Sequence, residues 1–149
     1  QQRSSAASDV YKRQGYSKSF KIKDREPIEM NSVDAYSRGI NNGDIVKLFN
    51  DRGACLAGVN INENIPGVVQ ISTGAWYDPE DTKNLNTICK HGNPNVLTKD
   101  KGTSKLGQGP IAHSCLIEVE LVKDKISPVT AFDPPVIIRD YKSNRVIDK

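Results

Sequence analysis

The chain has 149 residues, 36% of them hydrophobic, and 21 Lys and Arg against 18 Asp and Glu give a formal net charge of +3. That length accommodates one domain with a real core, and no apolar run approaches the roughly 20 residues that span a bilayer. The charges are interspersed rather than clustered, which excludes the basic footprint of a nucleic-acid-binding domain.

The first stretch stands apart from the rest. Ser4 to Gln14 reads SSAASDVYKRQ, has no helical or strand periodicity, and resembles a sequencing-library adaptor translated in one frame. Residues 1–14 are therefore expected to be an artefact, with the natural sequence starting near Gly15. Setting them aside removes Arg3, Lys12 and Arg13 against Asp9, so most of the positive excess disappears. Nothing near the start resembles the apolar region of a secretory signal.

From Phe20 to Met30 the signals are extended, with Pro27 marking an edge or a strand start. Asn31 and Ser32 are good N-cap residues, and Val33 to Arg38 fits one short helix with Asp34 in its first turn. Gly39 suits the helix C-terminus because glycine takes positive φ without steric cost. Asn42-Gly43-Asp44 is a turn, and Ile45 to Phe49 is rich in strand formers. Asn50-Asp51-Arg52-Gly53 predicts a tight hairpin turn into a strand over Ala54 to Ile61. A further turn at Asn64 to Gly67 leads into Val68 to Ile71, so the middle of the chain is expected to be a meander of short strands.

Gly74 to Gly109 is different: polar, rich in Gly, Asn, Asp, Thr and Lys, and without sustained periodicity. A loop of this length inside a compact domain is usually functional or disordered. Cys115 to Val122 then alternates as a strand, and Pro128, Pro134 and Pro135 predict an extended tail over residues 133–149 that wraps or frays. Short strands, one helix and one long polar loop point to a mainly β (α+β) domain, a small barrel.

Self-contained catalysis finds little support. There is no G-x-S-x-G elbow, H-E-x-x-H pair or P-loop, and Asp78, Glu80 and Asp81 read most simply as a solvated loop. Cys55, Cys89 and Cys115 contain no C-x-x-C pair, so they read as small buried hydrophobes and no metal-ligating residue is expected. Trp76 and Tyr77 are either a core anchor or a lid at the end of a strand. In His91-Gly92-Asn93-Pro94-Asn95, the asparagine amides can match the edge of a pterin or guanine, or can simply close turns. Gly102 to Gly109 could approach phosphates through its N–H groups but lacks the order of a P-loop.

Taken in order, these stretches resemble the molybdopterin-dinucleotide-binding C-terminal domain of the dimethyl sulfoxide reductase family, on its trimethylamine N-oxide and biotin sulfoxide reductase branch. The residues that carry the resemblance include Arg25-Glu26-Pro27-Ile28, Phe49-Asn50-Asp51-Arg52-Gly53 and Pro66 to Ile71. GAWYDP at Gly74 to Pro79, followed by HGNPNVLT at His91 to Thr98, is the most specific pairing. The likeness extends from about Phe20 to Phe132, and residues 15–132 are expected to form the domain.

The resemblance implies a double-psi β-barrel of the aspartate-decarboxylase type with its long loop facing the cofactor. That cofactor is a bis(molybdopterin guanine dinucleotide) molybdenum centre held between this domain and others of the same chain. Such enzymes reduce a small N-oxide or S-oxide by oxygen-atom transfer and are re-reduced by an electron-donor protein. The implied cofactor contacts are Asn95 on the pterin side, His113 where relatives present glutamine, Thr73, Trp76 beside the dinucleotide, and Gln108. The family's metal-ligating serine and a His-Ser-Gln motif are expected upstream, so no residue here is expected to be catalytic and this stretch alone is expected to be inactive. The branch is bacterial, and its N-oxide reductases point to the periplasm. The competing expectation is a free-standing double-psi barrel that acts as a binding module without activity.

Overall fold

The computed structural model describes residues 19–84, 86–109, 111, 115–134, 137–140 and 145–148. Its main element is an open five-stranded sheet in the order β4-β1-β3-β2-β5. The strands are β1 (Pro27–Asn31), β2 (Ile45–Phe49), β3 (Ala54–Asn62), β4 (Val69–Ile71) and β5 (Glu118–Leu121). A short helix, α1 (Ser32–Ser37), follows β1 directly. A separate antiparallel hairpin pairs β6 (Ile137–Asp140) with β7 (Arg145–Asp148), within the stretch expected to be an extended tail.

Local chemistry explains most of these boundaries. The Asn31 side chain accepts the Val33 N–H at 2.9 Å and so caps the first turn of α1. At the other end, Gly39 (φ +67°) donates to the Tyr36 carbonyl and Ile40 donates to that of Ala35. This pair of bonds is a Schellman termination, and it drives Ile40 into the core. Between β2 and β3, the Asn50 side chain accepts the Arg52 N–H at 2.9 Å and the Asn50 N–H reaches the Gly53 carbonyl at 3.0 Å, closing the expected hairpin.

Two expectations are corrected here. The middle of the chain is not a meander: β1 lies parallel to β3, and β4 pairs with β1 rather than with its predecessor β3. A parallel pair needs a crossover, which α1 and β2 supply. Pro27 therefore opens an interior strand rather than an edge. The run from Cys115 is a strand only over Glu118–Leu121, because Glu118 already faces Phe49, the last residue of β2.

The core gathers Ile28, Met30, Ile40, Val46, Leu48, Cys55, Ala57 and Val59, all within 1% of full burial. Five consecutive residues of β3, Cys55 to Val59, are buried, so both faces of that strand are covered. Gly58 is required there, since a Cβ would overlap the Ile22 side chain. Cys89 continues the sheet beside β3: it bridges Cys55 in parallel, in line with β1, and bridges Pro79 on its other side. That short ladder brings the GAWYDP and HGNPN stretches together at one end of the sheet.

Candidate functional site

A groove of about 730 Å³ opens beside the sheet, within the roughly 300–1,000 Å³ typical of small-molecule sites. Met30, Leu48, Val69, Ile71 and Leu97 make its apolar lining, and Thr73, Asn95, Thr98, Gln70 and Arg38 supply polar groups. Neither Asn95 nor Thr73 spends its side chain on a recorded bond to another described residue, although Asn95 donates its backbone N–H to Asn93. Both residues are exposed.

The turn that carries Asn95 is braced on two sides. Asn93 caps a single 3-10 turn, Pro94–Val96, by accepting the Asn95 N–H at 2.9 Å. The β2–β3 hairpin then grips the turn's far end: Asn50 Nδ2 and Arg52 Nε both donate to the Leu97 carbonyl, at 2.9 and 2.7 Å. Gly53 permits this approach, because a Cβ there would sit 2.7 Å from the Val96 oxygen. Sequence reasoning offered two roles for these asparagines, and the structure divides them. Asn93 closes the turn, and Asn95 is left on the groove.

The other expected residues fall elsewhere. Trp76 is 47% exposed and does not line the groove, so it is not a core anchor; its neighbour Ala75 is buried instead. Its carbonyl accepts the Nδ1–H of His91 at 3.1 Å. Gln108 (φ +48°) turns back on its own loop, with Nε2 donating to the Lys105 carbonyl at 3.2 Å. His113 lies outside the described residues.

Asp78 departs furthest from expectation. It is not solvated but 5% exposed, accepting the N–H and hydroxyl of Thr130 at 2.7 and 2.6 Å and lying 3.3 Å from the Lys90 ammonium. Burial on its own raises its pKa, but the Thr130 hydrogen bonds and Lys90 outweigh that and hold it below the ordinary carboxylate value. No signal in the sequence marked Thr130 as its partner. His91, 1% exposed, packs edge-on against Phe132 with ring centroids 5.0 Å apart. Since a carbonyl only accepts, His91 carries its proton on Nδ1, which leaves Nε2 as a buried acceptor without a partner among the described residues. Burial pushes its pKa down, partly offset by the bond to Trp76.

Of the three cysteines expected to be buried apolar residues, Cys55 and Cys89 are, whereas Cys115 is only half-buried. Cys55 and Cys89 are free and buried, and burial pushes the Cys55 thiol up to about 12, with Cys89 and Cys115 adding to the shift. Among the described residues there is no cluster of three His, Cys, Asp or Glu able to hold a metal, and no helix long and apolar enough to cross a membrane.

A braced, amide-bearing turn beside an apolar groove is an arrangement able to hold a flat polar ligand. Residues 3–116 match the molybdopterin dinucleotide binding domain family, and the chain belongs to it. The match begins inside the stretch set aside above as adaptor-like. The chain is 49% identical over 118 residues to trimethylamine-N-oxide reductase of Salmonella typhimurium, covering 78% of this chain and 14% of that protein. It is 46% identical over 112 residues to trimethylamine-N-oxide reductase 1 of Escherichia coli, covering 74% and 13%. It is 39% identical over 130 residues to the trimethylamine-N-oxide reductase of Vibrio cholerae, covering 87% and 16%. The chain thus spans about one seventh of the length of such relatives. The cofactor of this family is molybdopterin guanine dinucleotide with molybdenum.

Proposed function

We propose that this chain is the cofactor-binding part of a bacterial molybdenum reductase that removes oxygen from trimethylamine N-oxide or a similar small N-oxide or S-oxide. The observation that carries the reading is the meeting of Asn95 and Thr73, from segments far apart in sequence, on one apolar groove with their polar side chains uncommitted. The residues present fit a pterin or guanine: the floor suits a flat ring, and the rim offers an amide and hydroxyls to its polar edge. In this reading Asn95 hydrogen-bonds the ring edge, Thr73 binds a second polar atom, and Met30, Leu48 and Leu97 exclude water beneath it.

When bound, the bis(molybdopterin guanine dinucleotide) molybdenum cofactor supplies the oxygen-atom and electron transfer. This chain supplies placement and dryness, the metal ligand comes from other domains of the same protein, and the domain alone turns nothing over. The parent protein takes electrons from a donor protein, on the periplasmic side. The open sheet is read as part of a double-psi barrel, the fold implied by the resemblance.

The test is Asn95→Ala in the full-length enzyme. Leaving a buried partner atom unpaired weakens cofactor retention by about 1–3 kcal/mol, seen as lost molybdenum and guanine in the purified protein. Unchanged content of both would remove Asn95 from the site.

A further inference from the structure

The turn that faces the groove is held from behind by a buried ion pair between Lys90 and Asp78, the residue expected to lie in a solvated loop. Asp78 and Lys90 are bound twice over: the Lys90 N–H donates to the Asp78 carbonyl at 2.7 Å, and their charged groups lie 3.3 Å apart. A third party closes the arrangement. Thr130 donates its N–H and hydroxyl to Asp78 and accepts the Lys90 ammonium at 3.0 Å, and Ala131 donates its N–H to Asp78 at 3.2 Å.

Little slack separates Lys90 from Asn95. The Asn93 N–H points at the Cys89 sulfur at 3.4 Å. Gly92 (φ +95°) is pressed so close to Glu26 that a Cβ would lie 2.9 Å from that residue's own. The Glu26 N–H also donates to the His91 carbonyl at 3.0 Å. Any displacement of Lys90 is therefore passed to the Asn93 cap rather than absorbed between them.

We propose that Asp78 is a positioning residue for the cofactor-binding turn: by clamping Lys90 to the Thr130–Ala131 strap, it sets where Pro94–Val96 presents Asn95 to the groove. This rests on the reading of Asn95 given above. The physical reason is the cost of an unpaired buried charge. With Asp78 neutralised, the Lys90 ammonium, whose side chain is 9% exposed, has to leave for solvent, and it draws residues 91–93 with it.

The experiment is amide hydrogen exchange on the full chain carrying Asp78→Asn, with Thr130→Val and Thr130→Ser as companions. Exchange at Asn95 and Leu97, whose N–H groups close the turn, is expected to rise about tenfold or more, as losing a charge-assisted hydrogen bond implies. Val46 and Ala57 in the β2–β3 ladder should stay near their original rates. Thr130→Val, which removes the hydroxyl alone, should reproduce the effect more weakly, and Thr130→Ser should restore it. A uniform rise across turn and ladder, or an unchanged turn in both Asp78→Asn and Thr130→Val, would overturn the proposal. Should Asp78→Asn fail to fold, the Thr130 pair decides the matter alone. Cofactor content of Asn95→Ala separates the two claims: if it is unchanged while Asp78→Asn loosens the turn, the Asn95 contact is wrong and the clamp on the turn stands.

Discussion

Residues 27–62 and residues 74–98 are neighbours in the chain and touch along β3, yet they are held in shape by opposite means. The first stretch supplies Ile28, Met30, Ala35, Ile40, Val46, Leu48, Cys55, Ala57 and Val59 to the core, whereas among the described residues the second adds Cys89 and Leu97. The second stretch also buries a group of polar residues: Asp78, Lys90, His91 and Asn93. Apolar packing is non-directional and tolerates small shifts. Buried polar groups hold only when each finds its partner, so they fix a loop at one geometry and fail abruptly when a partner is lost. A site that must offer an amide at a defined place is served by the second kind of order, built on a platform of the first.

The contrast breaks most visibly at Leu48. This side chain is fully buried in the core and also floors the groove, so Leu48→Ala is expected to lower global stability by about 2–5 kcal/mol. Urea unfolding followed by far-UV circular dichroism measures this, and a loss below about 1 kcal/mol would mean the platform is not packed as described.

Acid sharpens the comparison. His91 has a folded pKa below its ordinary value, so the unfolded state binds the proton more readily. Its contribution is complete above about pH 6.5 and declines as pH falls from there toward the folded pKa. Asp78 is likewise depressed, so its contribution persists above about pH 3.8 and is lost as pH falls further through its folded value. Trp76 is the chain's one tryptophan, and its carbonyl is bound to His91. Its fluorescence is expected to change as pH falls below about 6.5 while the circular dichroism of the sheet holds, with the sheet responding only in stronger acid. Coincident changes in both signals would erase the distinction between the two regions.

The smallest effect is expected at α1. Asn31→Ala removes one cap from a six-residue helix on the platform and should cost about 1 kcal/mol, with exchange at Asn95 unaltered. A response at Asn95 would show that the regions are coupled through β1 rather than only through β3.

What could be read from the sequence follows the same division. Ile45–Phe49, the Asn50–Gly53 turn, the Asn31 cap and the Gly39 termination are set by residues within a few positions of each other, and all appear as expected. The parallel pairing of β1 with β3 escaped because periodicity locates a strand but not its neighbour. Asp78 escaped for a related reason: its burial depends on Thr130, 52 residues further along. For the site, Asn95 and Thr73 came from a family resemblance, and the structure brings both to one groove. The resemblance also named Trp76 and Gln108, neither of which lines that groove.

The distance between Asp78 and Thr130 also carries a consequence in time. A ribosome makes the chain from its N-terminus at about 5–20 residues per second, and structure accrues in that order. β1, β2 and β3 can pair as soon as residue 62 is clear of the exit tunnel, whereas Asp78 and Lys90 wait for residues 130 and 131. The groove therefore gains its wall early and its fixed turn late. In the reading proposed above, the turn that offers Asn95 to the cofactor reaches its fixed position only after residues 130 and 131 have been made.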